Sequence, residues 1–479
     1  MIYASGVLAV LVIICAARTL FFRMRRTSLS ADTFSADGMD PEDLKRFRKL
    51  IRIRTVSHKD ASRRDEAEFR KFPKYIKDEY PGIIKHLEFH QEGLYGCYLI
   101  WQGTDGSLKP GVFMAHFDVI GVENQHWTME PFGGDMFDGC IWGRGTLDTK
   151  NTVSGILCAV DALLKEGYAP ERTLYFVFGG DEELMGELGT GRMCEIFREK
   201  GMFFDFVLDE GSIVADGMVP GIKGKTALIG IGEKGFANFC IKTHGAGGHA
   251  AYPPRVTAGG RLARALYRLE KKKSPLRTTL ELKKFLEGAA PYVPLASAVL
   301  FSNLWLFAPL ITLILSLSPK SAALVRTTRS ITIIRGGDAD NVLPQNTEAV
   351  INCRLLPGDT VIRALERCKR VIRDPEVEIM VDKNGGAGDP RSAGSLKRYG
   401  ILSEVIRNVF PDAVIAPNLV TASTDSKYFA DISAEIYRFV PMVLTEEEVD
   451  RIHGSDERIS VENFYRGIVF FKEAVRRLS

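Results

Sequence analysis

The sequence predicts an α/β chain with a mixed central sheet flanked by helices, interrupted by a smaller inserted α+β domain. Three observations predict this. Short continuous apolar runs alternate with helical stretches up to about Gly235, the pattern of strands covered on both faces. From there the pattern changes to alternating strands and amphipathic helices in the order βαββαβ, enough for a small separate core. The chain has 479 residues, more than one core ordinarily serves, so two packed domains are expected.

Residues 1–26 form a hydrophobic N-terminal segment. Between residues 2 and 22 the only charge is Arg18, and Arg23, Arg25 and Arg26 follow. Such a run just reaches the ~20 residues that span a bilayer. No positive charge precedes it, which favours a retained membrane anchor over a cleaved signal peptide. The positive-inside rule then leaves the bulk of the protein in the cytoplasm, with a secretory, extracytoplasmic placement as the alternative. Residues 27–40 are polar and read as a linker.

The first part of the larger domain is expected over 41–234. Its helices are expected at 41–53, 151–166 and 189–200, and its strands at 97–101, 111–115, 173–178 and 206–209. The inserted lid domain is expected over 235–385. Its strands fall at 236–243, 330–335, 348–356 and 377–381, and its helices at 258–272 and 360–373. Residues 386–479 return to the larger domain with helices near 393–409 and 461–478. A second apolar run, 292–317, contains Pro294, Pro309, Ser302 and Asn303, and reads as a buried or surface-docking helical hairpin rather than a second span.

Apolar residues make up 45% and charged residues 26%, in the globular range, and the formal net charge of +3 gives no reason to expect nucleic acid. Eight cysteines are scattered singly with no CxxC pair, which argues against a disulfide framework or a cysteine zinc site. A disulfide in a secreted form stays open. No Asn-x-Ser/Thr acceptor occurs, which disfavours a glycosylated product.

The chemistry-bearing residues sit at strand ends. His116 and Asp118 follow the run GVFMA; the histidine can ligate a metal through one ring nitrogen while an acid fixes the other. Alone, HxD is as well explained by a surface loop. Gly143 and Gly145 surround the approach to Asp148, either letting the backbone near an ion or forming a tight turn before a helix. Asp181, Glu182 and Glu183 follow another buried strand, where three adjacent acids repel unless a cation neutralises them. The next strand ends in Asp209-Glu210, and His453 lies in RIHGSDERI. Open α/β sheets bind ligands at the carboxyl ends of their strands, and two histidines with three carboxylates match a catalytic zinc pair. His58, His86, His90, His126 and His244 lack such neighbours and read as structural or surface residues.

The set HxD, GRGTLD, GDEE, Asp209 and HGSDERI resembles the di-zinc exopeptidase family of aminoacylase, glutamate carboxypeptidase and carboxypeptidase S. GGHAAYP at 247–253, NVLP at 341–344, RLLPG at 354–358 and TASTDS at 421–426 add to the resemblance. The stretches 303–309 and 324–328 are similar to the carboxypeptidase S and N-acyl amino acid hydrolase branch. The resemblance runs from about residue 40 to the end. It implies a zinc-exopeptidase-like catalytic domain with an inserted lid.

It further implies two Zn²⁺ ions, with Co²⁺ or Mn²⁺ as alternatives, held by His116, Asp148, Glu183, Asp209 and His453. Asp148 would bridge both, with a cis peptide bond after it, and Asp118 would orient His116. Glu182 would be the general base, His249 the oxyanion stabiliser, and Arg354 with Asn341 the holders of the substrate carboxylate. The loop 421–425 would line the pocket through its backbone. The implied activity is hydrolysis of an amide bond next to a free amino-acid carboxylate, in a small acylated amino acid or short peptide. A homodimer through the lid is the expected assembly, as in several relatives. The competing reading is a metal-binding scaffold that kept the fold and lost catalysis, but every ligand and the base are present.

Overall fold

The structure, a computed structural model, describes residues 2–382, 387–392 and 394–479. The expected helix start at Ala393 and the domain boundary at 385/386 lie outside the described residues.

The larger domain is built on an 11-stranded mixed sheet. Strands Gly111–His116, Leu174–Gly179 and Phe206–Asp209 form its parallel centre, as apolar runs buried on both faces require. Gly96–Trp101 adds antiparallel to Leu174–Gly179, and Ile436–Arg438 adds parallel to Phe206–Asp209. All three central strands therefore end at one edge, where His116, Gly179 and Asp209 stand together.

Helices cover both faces. On one side Lys150–Lys165 is buried nearly all round, between the sheet and the C-terminal helix Val461–Leu478. Gly155 permits that contact, because a Cβ there would lie 3.1 Å from the Phe471 ring. Phe47 of helix Pro41–Ile51 stacks on Phe464 with ring centroids 4.6 Å apart. On the other side Arg192–Glu199 sets Met193, Cys194 and Phe197 against Tyr98, Met114 and Val177. All eight cysteines are free thiols.

The small domain pairs Gly235–His244 with Asn346–Leu355 over their full length, in a sheet ordered Thr328–Arg335, Asn346–Leu355, Gly235–His244, Val377–Val381. Helices Ala258–Lys271 and Val361–Ile372 pack on one face, with Leu262, Leu266, Ile241, Ile351 and Cys368 in the core. The chain between Ala258–Lys271 and Thr328–Arg335 leaves this core. Helix Leu280–Ala289 packs on strand Val414–Val420 of the larger sheet, and Leu295–Ser302 and Leu304–Leu315 follow it there.

The N-terminal segment is a helix, Ile2–Met24, whose stretch Gly6–Met24 is long and apolar enough to cross a bilayer. Residues 27–40 do not swing free: Ser30 N–H donates to the Pro411 carbonyl, and Asp32 pairs with Arg466 and Lys225 at 2.6 and 2.9 Å.

Candidate metal centre

The parallel strands deliver their residues to one cleft. His116 is buried, and its Nε2 lies 2.9 Å from Asp148 Oδ1 and 3.4 Å from Glu210 Oε1. Its Nδ1 faces the Asp118 carbonyl at 3.0 Å and Asp118 Oδ1 at 3.3 Å. Asp118 is itself wholly buried and accepts hydrogen bonds from Ser57 Oγ and from the backbone N–H groups of Glu182 and Glu183. One carboxylate thus fixes both the imidazole and the turn carrying the next two acids.

Asp148 stands between two clusters. Its other oxygen lies 3.0 Å from His453 Nε2, which is 3.2 Å from Glu183 Oε1. His116, Asp148 and Glu210 form one candidate ion site, and Asp148, Glu183 and His453 the other; within each, the donor atoms lie within 4.8 Å of one another. The peptide bond between Asp148 and Thr149 is cis. His453 is half exposed whereas His116 is buried, so the cleft opens on the His453 side.

The electrostatics describe a crowd of acids. Burial, partly offset by His116, pushes the Glu210 carboxyl up to about 8. Burial likewise raises Glu182 well above the ordinary carboxyl range, with His116 opposing and Glu210 adding to the shift. Asp148 is held low despite its burial, because His116 and His453 hydrogen-bond to it. Hydrogen bonds to Asp148 and Glu183 raise His453 to about 10. Buried and half-buried carboxylates gathered round two imidazoles fit divalent cations of mixed N/O preference.

Among the described residues Asp209 stands beside the clusters, its Oδ2 accepting the Ser426 N–H at 3.0 Å, while the adjacent Glu210 carboxylate lies 3.4 Å from His116 Nε2. Glu182 also lies in neither cluster. The small-domain residues stand apart. His249, on the ribbon Gly248–His249 that pairs with Val342–Leu343, is exposed and accepts the Ala251 N–H at Nδ1. Asn341 is exposed beside that ribbon, its carbonyl accepting from Ala250, and Arg354 lies over the Phe236 ring. Among the described residues no hydrogen bond or ion pair joins these three to the clusters.

Sequence reasoning missed the supports. Glu457 is wholly buried; its Oε1 accepts from the backbone of Gly145, Leu147 and Asp148, and its Oε2 from Arg144. Arg144 in turn donates to the Gly454 carbonyl at 2.9 Å. This pair ties the Asp148 loop to the His453 loop. Beneath the loop 421–425 a second buried pair, Arg438–Glu233 at 2.7 Å, holds Thr424 through Glu233. Both pairs lie inside or beside the motifs, but only the folded chain brings the partners together. Next to Met185, a cavity of about 830 Å³ is lined by apolar groups such as Leu188 and Phe236 and by many charged ones, among them Arg192, Arg198, Glu233 and Lys234.

The sequence model of peptidase family M20/M25/M40 matches residues 112–477. Probable carboxypeptidase S-like 2 of Dictyostelium discoideum is 37% identical, covering 91% of this chain and 85% of the relative. An N-fatty-acyl-amino acid synthase/hydrolase PM20D1 of Xenopus tropicalis is also 37% identical, covering 89% and 84%. An M20 family metallo-carboxypeptidase of Sulfolobus solfataricus superposes with a TM-score of 0.68 at 17% identity, over 92% of this chain and 99% of that one. The chain belongs to peptidase family M20/M25/M40 and is a metallopeptidase or amidohydrolase of that family.

Proposed function

We propose that the protein hydrolyses the amide bond joining an acyl or peptidyl group to an amino acid with a free carboxylate, using two zinc ions. The observation that carries this reading is the pair of three-residue clusters sharing Asp148, with Glu182 beside them and in neither. When bound, the cations would polarise the scissile carbonyl and lower the pKa of a nearby water; cobalt or manganese also suits the donor set.

The chain's own groups do the rest. Asp118 holds the Glu182 backbone, aiming that carboxylate from a fixed turn. Glu182 takes a proton from the attacking water and gives it to the departing amine. Its raised proton affinity suits a group that must accept and then return a proton. His249 stabilises the oxyanion, and Arg354 and Asn341 hold the substrate carboxylate through charge-assisted hydrogen bonds. These three reach the clusters by closure of the small domain or from a second copy. The exposed edge strand Thr328–Arg335, with Ile333 and Ile334 outward, supports a homodimer through that domain.

The acyl side is a long apolar chain. The Xenopus relative named an N-fatty-acyl-amino acid synthase/hydrolase supports this. The N-terminal helix is a retained anchor, with the body on the cytoplasmic side according to its trailing arginines. Mass spectrometry of amino acid released from N-oleoyl amino acids and from dipeptides tests the reading. Release should vanish on chelation, return with zinc, and favour the oleoyl substrates. A preference for dipeptides overturns the acyl assignment, and release that survives chelation overturns the metal assignment.

A further inference from the structure

The helices Leu295–Ser302 and Leu304–Leu315 meet at an angle of 114° around Asn303. Neither can span a membrane: the longer has 12 residues, about 18 Å at the usual rise per residue, against a hydrocarbon core of about 30 Å. One face of the longer helix, with Leu304 and Ile311, packs against Leu282 and Leu286 of the body. The opposite face carries Leu306, Leu310 and Leu313, spaced four and three apart, and Leu317 beyond the helix end. Leu313 is 55% and Leu317 79% exposed, and Trp305 stands half exposed at the start of the helix. This row of large apolar side chains faces outward along one side of the helix.

What covers the row is indicated by the element docked beside it. The bilayer-length helix Ile2–Met24 packs against Leu295–Ser302. The contact is specific: Arg18 Nε donates to the Ser302 carbonyl at 3.1 Å, and the Asn303 amide donates to the Cys15 carbonyl and Thr19 Oγ1, each at 3.2 Å. Asn303 and Thr19 are buried in this contact. A lipid surface that receives the N-terminal helix therefore lies level with the bend. Further along, where the apolar helix gives way to arginines, a cavity of about 330 Å³ is lined by Arg25, Lys284, Arg407, Glu287 and Tyr292. Its three cations outnumber the one carboxylate, a balance that complements anionic phospholipid headgroups.

We propose that the bent pair lies in the headgroup–acyl boundary of the same leaflet that the N-terminal helix enters, seating the catalytic body on the membrane surface. This goes beyond the proposed hydrolysis and rests on the reading of the N-terminal helix as a retained membrane element. Interfacial helices bury their apolar face by roughly 5–10 Å, within reach of Leu306, Leu310, Leu313 and Leu317.

The test uses the full chain reconstituted in phosphatidylcholine–phosphatidylserine liposomes, with and without brominated acyl chains. Flotation reports the N-terminal helix, and Trp305 emission reports the bent pair. Bromine should quench a component of the tryptophan emission, and Trp305→Phe should abolish that quenching while hydrolysis of a soluble short-chain substrate continues. Flotation without Trp305 quenching overturns the proposal and leaves the anchor standing. Trp305 emission that is blue-shifted yet insensitive to bromine assigns the face to a second copy and also overturns it. A chain that does not float refutes the anchor and the docking together, whatever its hydrolytic activity.

Discussion

Glu457→Gln is the substitution whose effect can be worked furthest from the structure. Glu457 is wholly buried and Arg144 is 1% exposed, so neither charge has water to fall back on. The carboxylate accepts three backbone N–H groups through one oxygen and the guanidinium through the other. A glutamine keeps the shape but turns one oxygen into an NH₂ donor, which must face either Arg144 or the Gly145–Asp148 backbone. Leaving a buried partner uncompensated costs about 3–5 kcal/mol. With about 2.1 cal/mol/K of unfolding entropy per residue over a chain of 479 residues, that is a fall in Tm of roughly 3–5 °C. The Asp148 loop should loosen with it, so kcat should fall while KM for the soluble substrate changes little. Scanning calorimetry and steady-state kinetics on the metal-loaded protein read both effects. An unchanged Tm together with an unchanged kcat would refute the claim that this pair positions Asp148.

Three other outcomes are expected. Glu182→Gln should lower kcat by about 10²–10⁴ while leaving bound metal unchanged by mass spectrometry, because the side chain moves protons and holds no ion. Glu210→Ala should lose one ion per chain, whereas Asp209→Asn should keep both ions and instead lower Tm through the weakened Ser426 contact. Asp32 sets a pH dependence. Its burial would raise the carboxyl, but hydrogen bonds from Arg466 and Lys225 bring it down to about 2. A depressed carboxyl stabilises the fold above its unfolded pKa and loses that contribution as pH falls toward its folded value. The shift corresponds to about 2 kcal/mol. The Tm advantage of the wild type over Asp32→Asn should therefore hold at pH 6 and shrink below about pH 4. A constant gap contradicts the pairing.

The central strands were legible because continuous apolar runs can be buried on both faces only inside a covered sheet, and the histidine and acids at their ends marked the cleft. The family followed from the same motifs. The sequence pattern does not separate Asp209 from Glu210: the acids are adjacent where the strand ends, and the chain's exit sets which carboxylate stands beside His116. Supports such as Glu457–Arg144 and Glu233–Arg438 join residues far apart in the chain, so spacing could not pair them. The prolines and polar residues of the apolar run 292–317 predict a hairpin. That Asn303 binds the N-terminal helix, and that the preceding helix sits on the larger sheet, depends on packing between distant segments. The linker was expected from its polarity, but Asp32 finds two buried or half-buried cations and fixes it.

The central claim is that His116, Asp148 and Glu210 hold one ion and Asp148, Glu183 and His453 a second. The direct measurement is the number of zinc ions bound per chain, by native mass spectrometry, for the wild type and for Asp148→Ala. The account predicts two ions in the wild type and loss of both when the shared carboxylate is removed. One ion in the wild type, or one retained without Asp148, would contradict it.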